Sequence, residues 1–256
     1  MRFDDLAGKV ALVTGGARGL GYSLATALAG QGCTVALLDV LDTVTVSADR
    51  LAAEQHVETV GLVTDVTDPD SVQAAVDRVG EVLGVPQILV TAAGITVWND
   101  SVDVPAAEWR RVMSVNLDGT FFAAQAFGRG LIDAGLPGSA VFVSSMSGLI
   151  VNVPQHQASY SASKAAVAQL ARALAVEWAP HGIRVNAISP GYFLSDMTRH
   201  FTEQNPQLAA EWIARIPAGR MGEPHDLDGL VLLLASDVSS YLTAQNLVID
   251  GGYTAL

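Results

Sequence analysis

The sequence predicts a single α/β domain with an open, mostly parallel sheet and helices on both faces. Short β-branched apolar runs alternate with longer helical patterns along the 256 residues. The first six runs do not alternate in polarity, which indicates strands that are covered on both faces. Glycine-rich breaks follow the strands, and no long polar linker interrupts the repeated β-α-β order. These observations favour one continuous sheet and a doubly wound architecture.

The elements follow in order along the chain. The predicted strands are Val10–Thr14, Thr34–Asp39, Thr59–Thr64, Ile88–Thr91, Ala140–Ser144, Arg184–Ser189 and Asn246–Asp250. The predicted helices are Gly19–Gln31, Pro69–Leu83, Asn116–Asp133, Ser159–Trp178 and Pro224–Ala235. The long interval 193–221 contains no strand, so we expect a helical insertion there that acts as a substrate lid.

Composition and charge argue against nucleic-acid-binding and membrane proteins. The chain has 14 basic and 26 acidic residues, and this net charge of −12 disfavours nucleic acids and anionic membranes as partners. Only 16% of the residues are charged, which indicates a homo-oligomer contact. No apolar run approaches the ~20 residues of a membrane span, and acidic residues interrupt the N-terminal stretch where a signal peptide is apolar.

Cysteine and histidine usage argues against disulfides and metal sites. Cys33 is the single cysteine, so an internal disulfide is impossible and a reducing compartment, the cytoplasm, is expected. The five histidines show no metal-ligand spacing, so we expect no metal ion bound by the protein.

A glycine-rich loop, TGGARGLG, joins the first strand to the first helix. Gly15, Gly19 and Gly21 let the backbone approach a phosphate, and the free N–H groups of the helix start face its charge. Asp39 ends the second strand 18 residues after Gly21, where a carboxylate takes adenosine ribose hydroxyls. Asp39 repels a 2′-phosphate and therefore favours NAD over NADP, although Arg18 would help to hold that phosphate.

Two further strand ends have both a functional and a purely structural interpretation. Asp65 and Val66, after the third strand, are placed to meet an adenine ring or to form an ordinary turn. Ala93 and Gly94, after the fourth strand, permit close approach of the cofactor or simply a tight turn.

Tyr160 and Lys164 are four residues apart and lie on one face of a predicted helix. A phenol is a poor base at neutral pH, and we expect the nearby ammonium to lower its pKa. Such a phenol takes a proton from an alcohol while a hydride leaves the same carbon for a nicotinamide. Three serines follow the fifth strand, namely Ser144, Ser145 and Ser147. They are candidate hydrogen-bond donors to the substrate oxygen, or they only form a turn.

Further motifs accompany these, namely AAG, Asn116 within SVNLDG, SSMSG, YSASK, IRVNAISPG and a terminal DGG. With them, the chain from Lys9 to Tyr253 resembles the short-chain dehydrogenase/reductase family. The resemblance implies a Rossmann fold with seven parallel strands, commonly a homotetramer. It implies that Tyr160 is the catalytic acid/base and that Lys164 lowers its pKa and binds the nicotinamide ribose. It also implies that Ser145 orients the substrate oxygen and that Asn116 holds a proton-relaying water.

The same resemblance implies the cofactor contacts. Backbone at Phe193 and the hydroxyl of Ser195, where the family usually has Thr, are expected at the nicotinamide carboxamide. A second departure is Thr91-Ala92, where the family pattern usually carries Asn. The full expected set is Gly15, Arg18, Gly19, Leu20, Gly21, Asp39, Asp65, Val66, Ala93, Gly94, Tyr160, Lys164, Pro190, Gly191, Phe193 and Ser195.

The segment SMSGLIVNVPQHQASY is similar to the polyol branch of the family, the galactitol, arabinitol and xylulose dehydrogenases. Its neutral hydrogen-bonding side chains suit a polyhydroxy substrate, because a site that pairs a hydroxyl rejects analogues lacking it. The expected substrate contacts are Ser145, Ser147, Asn152, Gln155 and Tyr160. The insertion instead offers side chains for a more apolar substrate or for packing, namely Phe193, Leu194, Met197, Phe201 and Trp212.

The sequence therefore predicts an NAD-dependent oxidoreductase that interconverts a secondary alcohol and a ketone, with a small-molecule polyol or keto-sugar as substrate. One alternative is a 3-oxoacyl carrier-protein reductase or a general NADPH ketoreductase, which Asp39 and the acidic charge disfavour. Another is a non-catalytic NAD(H)-sensing protein, which the complete set of predicted catalytic residues disfavours.

Overall fold

The computed structural model describes residues 2–256, apart from the side chains of residues 196, 197, 200 and 201. Within this range seven strands form one parallel sheet in the order β3-β2-β1-β4-β5-β6-β7. The strands are β1 (Val10–Thr14), β2 (Thr34–Asp39), β3 (Thr59–Val63), β4 (Ile88–Thr91), β5 (Gly138–Val143), β6 (Ile183–Pro190) and β7 (Asn246–Ile249). The helices are α1 (Gly19–Ala29), α2 (Val44–Gln55), α3 (Pro69–Val82), α4 (Ala106–Met113), α5 (Gly119–Ala134), α6 (Ala158–Trp178), α7 (Asp196–Gln204), α8 (Pro206–Ala214) and α9 (Asp228–Ala235).

Two apolar layers cover the sheet, one on each face. Successive residues of β1 point to opposite faces, so Val13 joins the layer formed with α1 and α9 while Leu12 joins the layer formed with α3, α5 and α6. All residues of β1 and β4 are buried, which confirms the expectation for the central strands. β3 differs, because as an edge strand it leaves Val63 54% exposed.

Several element boundaries differ from those predicted. β5 begins at Gly138 because this residue pairs with Ile183 of β6, which extends both strands beyond their β-branched runs. Helices α2 and α4 were not predicted. The helix predicted to begin at Asn116 starts earlier, because α4 runs into a single π-helical segment, Ser114–Asp118, that leads to α5.

The carboxyl ends of β1, β2, β4 and β5 lie at one edge of the sheet, where the strand order reverses between β1 and β4. Ligands of doubly wound sheets bind in the crevice at such a reversal. The insertion over residues 193–221 is helical, as expected, and comprises α7 and α8. The side chains of Met197 and Phe201 lie outside the described part of the chain.

Two features are absent from the part of the chain that the structure describes. No helix in this part of the chain is long and apolar enough to span a membrane. Nor does it contain a group of three or more His, Cys, Asp or Glu residues arranged to hold a metal ion.

Candidate active site

The turn between β1 and α1 packs against the chain at Gly15 and has free space around it at Gly19. Gly15 has a φ of +66°, and a Cβ there would lie 2.7 Å from the backbone nitrogen of Ala93. Gly19 has a φ of +63°, and a Cβ there would meet nothing within 4 Å. The open side faces the N-terminus of α1, which Arg18 precedes as an exposed residue, while Leu20 packs against the core. The turn therefore fits an anionic diphosphate at the helix start.

Asp39 is fixed beside this turn by backbone donors. Its Oδ2 accepts a hydrogen bond from the Ala17 N–H (3.0 Å), and its Oδ1 accepts one from the Leu41 N–H (3.1 Å). Each carboxylate oxygen retains a lone pair, so the group still has acceptors for ribose hydroxyls. The turn and the carboxylate together fit the adenosine diphosphate part of a dinucleotide.

The end of β3 has the structural role that sequence reasoning left open. The Asp65 carboxylate accepts hydrogen bonds from the backbone N–H (2.9 Å) and the hydroxyl (2.8 Å) of Thr67, which forms a turn. Val66 is buried against α5, where a Cβ on Gly119 would lie 2.7 Å from Val66 Cγ2. An adenine contact by these residues remains a prediction.

Ser145 is held beside Tyr160 by packing of the loop after β5 on the first turns of α6. The Ser144 hydroxyl donates to the Lys164 carbonyl oxygen (2.7 Å), and a Cβ on Gly148 would lie 2.7 Å from the Ala165 nitrogen. The Ser145 hydroxyl lies close enough to the Tyr160 phenol to lower its pKa. The structure thus brings the predicted acid/base and the predicted substrate-orienting hydroxyl together.

Burial is the largest influence on the pKa values of both Tyr160 and Lys164. It raises the pKa of Tyr160, and the neighbouring Ser145 hydroxyl offsets this only in part. Burial lowers the pKa of Lys164 to about 8. The Lys164 Nζ donates to the Val143 carbonyl oxygen (2.7 Å) and lies 5.7 Å from the centre of the Tyr160 ring. Burial thus outweighs the effect of the neighbouring groups on the pKa of Tyr160, and the lowering of that pKa by Lys164 remains a prediction.

Asn116 is buried and its amide is engaged with neighbouring groups. Its Nδ2 donates to the Ile95 carbonyl oxygen (3.0 Å) and to the Ser163 hydroxyl (3.0 Å), and its Oδ1 accepts from the Ile95 N–H (2.8 Å). A Cβ on Gly94 would lie 3.4 Å from both Asn116 Oδ1 and Lys164 Nζ. Asn116, Gly94 and Lys164 therefore meet at the end of β4, as expected of one site.

A chain of neutral side chains leads away from Ser145. The Ser145 hydroxyl donates to Ser147 Oγ (3.2 Å), and Gln157 Nε2 lies within hydrogen-bond distance of both Ser147 Oγ (3.2 Å) and Asn152 Oδ1 (3.3 Å). Ser145, Ser147 and Asn152 are all buried. We call Ser145, Ser147, Gln157, Asn152 and Gln155 the polar wall.

Sequence reasoning missed Tyr192, which ends the polar wall. Its hydroxyl oxygen accepts hydrogen bonds from Asn152 Nδ2 (3.1 Å) and Gln155 Nε2 (2.8 Å). Its ring stacks on Trp212 of α8 with centroids 4.4 Å apart, and burial raises its pKa to about 12. Its position directly after Pro190-Gly191 was the available sequence signal, and only the folded chain reveals the two amide partners.

The segment after β6 is well packed. A Cβ on Gly191 would lie 2.6 Å from Asp250 Cβ, so Pro190-Gly191 lies tight against the end of β7. Phe193 is buried against Gly222. The Ser195 hydroxyl hydrogen-bonds to Thr198 Oγ1 (2.6 Å) within the first turn of α7. The nicotinamide contacts assigned to Phe193 and Ser195 remain predictions.

Comparison with known proteins agrees with this geometry. A family model described as enoyl-(acyl carrier protein) reductase matches residues 15–254. Galactitol 2-dehydrogenase (L-tagatose-forming) of Cereibacter sphaeroides is 44% identical over 97% of this chain and 96% of its own length. The NADH-dependent L-xylulose reductase of Ambrosiozyma monospora is 37% identical over 99% of this chain and 97% of its own length.

Solved structures lead to the same family. A short-chain type dehydrogenase/reductase from Mycobacterium marinum matches with a TM-score of 0.93 and 42% identity over 99% of this chain and 98% of that chain. An Agrobacterium tumefaciens chain with bound NADP matches with a TM-score of 0.88 and 35% identity over the whole of both chains. The chain therefore belongs to the short-chain dehydrogenase/reductase family, in its polyol dehydrogenase branch, and is an oxidoreductase that acts on CH–OH groups with an NAD(P) nucleotide.

Proposed function

We propose that this protein is an NAD-dependent oxidoreductase that interconverts a secondary alcohol of a polyol and the ketone of a keto-sugar. The observation that carries this proposal is the neighbouring pair Ser145 and Tyr160 at the head of the polar wall, which hydrogen bonds extend from Ser145 to Ser147. A polyol presents several hydroxyl groups in a row, and a row of neutral donors and acceptors is suited to pair them. The polyol dehydrogenases among its relatives support the same substrate class.

When bound, the nicotinamide supplies the hydride acceptor or donor of the reaction. Tyr160 gives its phenolic proton to the carbonyl oxygen in reduction and takes a proton from the alcohol in oxidation. The Ser145 hydroxyl orients that oxygen beside the phenol. Because burial raises the pKa of Tyr160, the phenol is protonated at neutral pH, and oxidation, which needs the phenolate, becomes faster as the pH rises.

Lys164 and Asn116 complete the proposed catalytic group. Lys164 binds the nicotinamide ribose through its ammonium, which is mostly charged below its pKa of about 8. Asn116 holds the backbone at Ile95 beside Lys164 and supports a water that relays protons. In this arrangement Lys164 and Asn116 support the cofactor and the proton transfer by Tyr160, and neither residue reacts with the substrate carbon.

The preference for NAD rests on Asp39. Its carboxylate lies beside the open turn, where it accepts hydrogen bonds from ribose hydroxyls and repels a 2′-phosphate. The NADH-dependent relative supports this preference, whereas the similar chain with bound NADP indicates that the fold itself accepts either nucleotide.

Three further features belong to the proposal. Residues 193–221 form a lid, supported by the stacking of Trp212 of α8 on Tyr192 at the polar wall. The protein assembles as a homotetramer, supported by the low fraction of charged residues. It acts in the cytoplasm, supported by its buried free cysteine, Cys33.

The test is a panel of polyols and keto-sugars, assayed for formation or loss of NADH from pH 6 to 10. We expect turnover of one or more polyols by the wild type, with oxidation faster at alkaline pH. Tyr160→Phe removes the phenolic proton, so we expect kcat to fall at least about 100-fold while NADH binding, measured by fluorescence, stays nearly intact.

The matched control is Tyr241→Phe, because Tyr241 is a fully exposed tyrosine that takes part in none of the site contacts described above. Full activity in Tyr160→Phe would remove Tyr160 from its proposed role. Activity on a 3-oxoacyl thioester with NADPH, and none on polyols, would replace the polyol proposal with the carrier-protein reductase.

A further inference from the structure

Tyr192 controls the orientation of two amides of the polar wall. Its oxygen has two lone pairs, and both are occupied, by the N–H donors of Asn152 (3.1 Å) and Gln155 (2.8 Å). An amide that turns its nitrogen toward Tyr192 must turn its oxygen away. The phenol oxygen therefore determines where the carbonyl oxygens of Asn152 and Gln155 are presented.

The two carbonyl oxygens differ in their partners. Asn152 Oδ1 accepts a hydrogen bond from Gln157 Nε2 (3.3 Å). Gln155 is only 6% exposed, and its Oε1 is buried. This oxygen accepts no hydrogen bond from any group in the described part of the chain. A buried amide oxygen without a donor is costly, and such an atom beside an active site indicates a ligand that donates to it.

The chemistry of that ligand follows from the atom and its surroundings. An amide oxygen accepts hydrogen bonds only, so the partner must carry an O–H or N–H donor. The polar wall and Tyr192 are neutral, with the pKa of Tyr192 raised to about 12, so they offer no counter-charge to an ammonium or a carboxylate. A hydroxyl of an uncharged polyol meets both conditions.

We propose that Tyr192 is a positioning residue for substrate specificity, which holds Gln155 so that its Oε1 accepts a hydrogen bond from a substrate hydroxyl other than the reacting one. This inference rests on the proposed function, since it requires a polyol. Tyr192 thereby distinguishes polyhydroxy substrates from monohydric alcohols, while the Ser145–Tyr160 pair acts on either.

The packing of the Tyr192 ring makes a clean test possible. The ring stacks on Trp212 (4.4 Å) and meets the edge of Tyr253 (5.4 Å). Tyr192→Phe keeps both ring contacts and removes only the hydroxyl group, whose oxygen accepts hydrogen bonds from the two amides. Thermal unfolding of Tyr192→Phe and wild type checks that the variant is folded.

The experiment compares kcat and KM for the best polyol and for 2-butanol in wild type, Tyr192→Phe, Gln155→Leu and the double variant. For Tyr192→Phe we expect the polyol KM to rise about tenfold with kcat nearly unchanged, because one hydrogen bond to the substrate is lost. The constants for 2-butanol and the affinity for NADH stay the same. The double variant should be no worse than Gln155→Leu alone, because Tyr192 acts through Gln155.

Tyr241→Phe again serves as the control for loss of a tyrosine hydroxyl. An unchanged ratio of polyol to 2-butanol kcat/KM in Tyr192→Phe would overturn the inference while leaving the proposed function intact. Additive losses in the double variant would also overturn it, because the two residues would then act independently. If the wild type oxidises no polyol, the proposed function itself fails and this inference fails with it.

Discussion

In the proposed function, Asp39 links the cofactor preference to the fold at the level of one side chain. Its two carboxylate oxygens tie the N–H groups of Ala17 and Leu41 to the end of β2. We propose that the same charge that organises the turn also repels a 2′-phosphate of NADP. The proposal therefore couples the structure of the turn and the choice of nucleotide in this residue.

Asp39→Asn tests the charge with the smallest change of shape. We expect the ratio of kcat/KM with NADP to kcat/KM with NAD to rise about tenfold or more, because a like-charge contact is removed. Steady-state kinetics with both nucleotides measure the ratio, which does not depend on the fraction of folded enzyme. An unchanged ratio would assign the preference to another group, with Arg18 as the first candidate.

Tyr160 shows why a motif does not determine a pKa. The four-residue spacing places Lys164 near the phenol, yet Nζ turns to the Val143 carbonyl oxygen. Burial penalises the charged forms of both residues and so moves their pKa values in opposite directions, upward for Tyr160 and downward for Lys164.

At the level of elements, the turn between β1 and α1 requires glycine for two different reasons. Gly15 combines a positive φ with a contact that leaves no room for a Cβ next to Ala93. Gly19 has a similar φ but open space around it. A substitution at Gly19 therefore introduces backbone strain alone, whereas one at Gly15 adds a steric clash to the same strain.

Gly15→Ala and Gly19→Ala form a matched pair. We expect Gly19→Ala to lower the free energy of unfolding by about 1 kcal/mol through left-handed strain alone. Gly15→Ala should cost roughly 2 kcal/mol or more, because the turn must also move away from Ala93. Chemical denaturation measures both values, and equal losses would show that the contact with Ala93 relaxes freely.

At the scale of the whole molecule, the outer face of α6 is the surface that we assign to the proposed tetramer contact. Small residues alternate with a few polar ones along it, and Val176 near its end is 74% exposed. Its inner face carries Lys164, packed against the sheet. A second helix could approach such a face closely, so oligomer contact and active site would share one helix.

Size-exclusion chromatography with light scattering tests the proposed tetramer. We expect the wild type to elute at the mass of four 26.7-kDa chains, and Val176→Arg to give smaller species. Val102→Arg, on an exposed loop, is the control and should leave the mass unchanged. A tetrameric Val176→Arg would place the contact on another face.

Much of the architecture was predictable because it depends on local patterns. The seven strands, their parallel arrangement and most helices follow from apolar runs and glycine breaks, which neighbouring residues alone specify. α2 and α4 escaped prediction, and so did the π-helical segment that carries Asn116. Strand ends were misplaced where pairing with a neighbour, as between Gly138 and Ile183, extends the ladder.

The sequence by itself determined the family motifs, because the spacing of Tyr160 and Lys164, or of the glycines before Asp39, is covalent and short-range. Only the tertiary structure decided how these groups are surrounded. The meeting of Tyr192 with Asn152 and Gln155 joins residues some forty positions apart, and the direction of the Tyr160 pKa depends on burial by the whole fold. Both depend on contacts between distant parts of the chain, which local patterns do not encode.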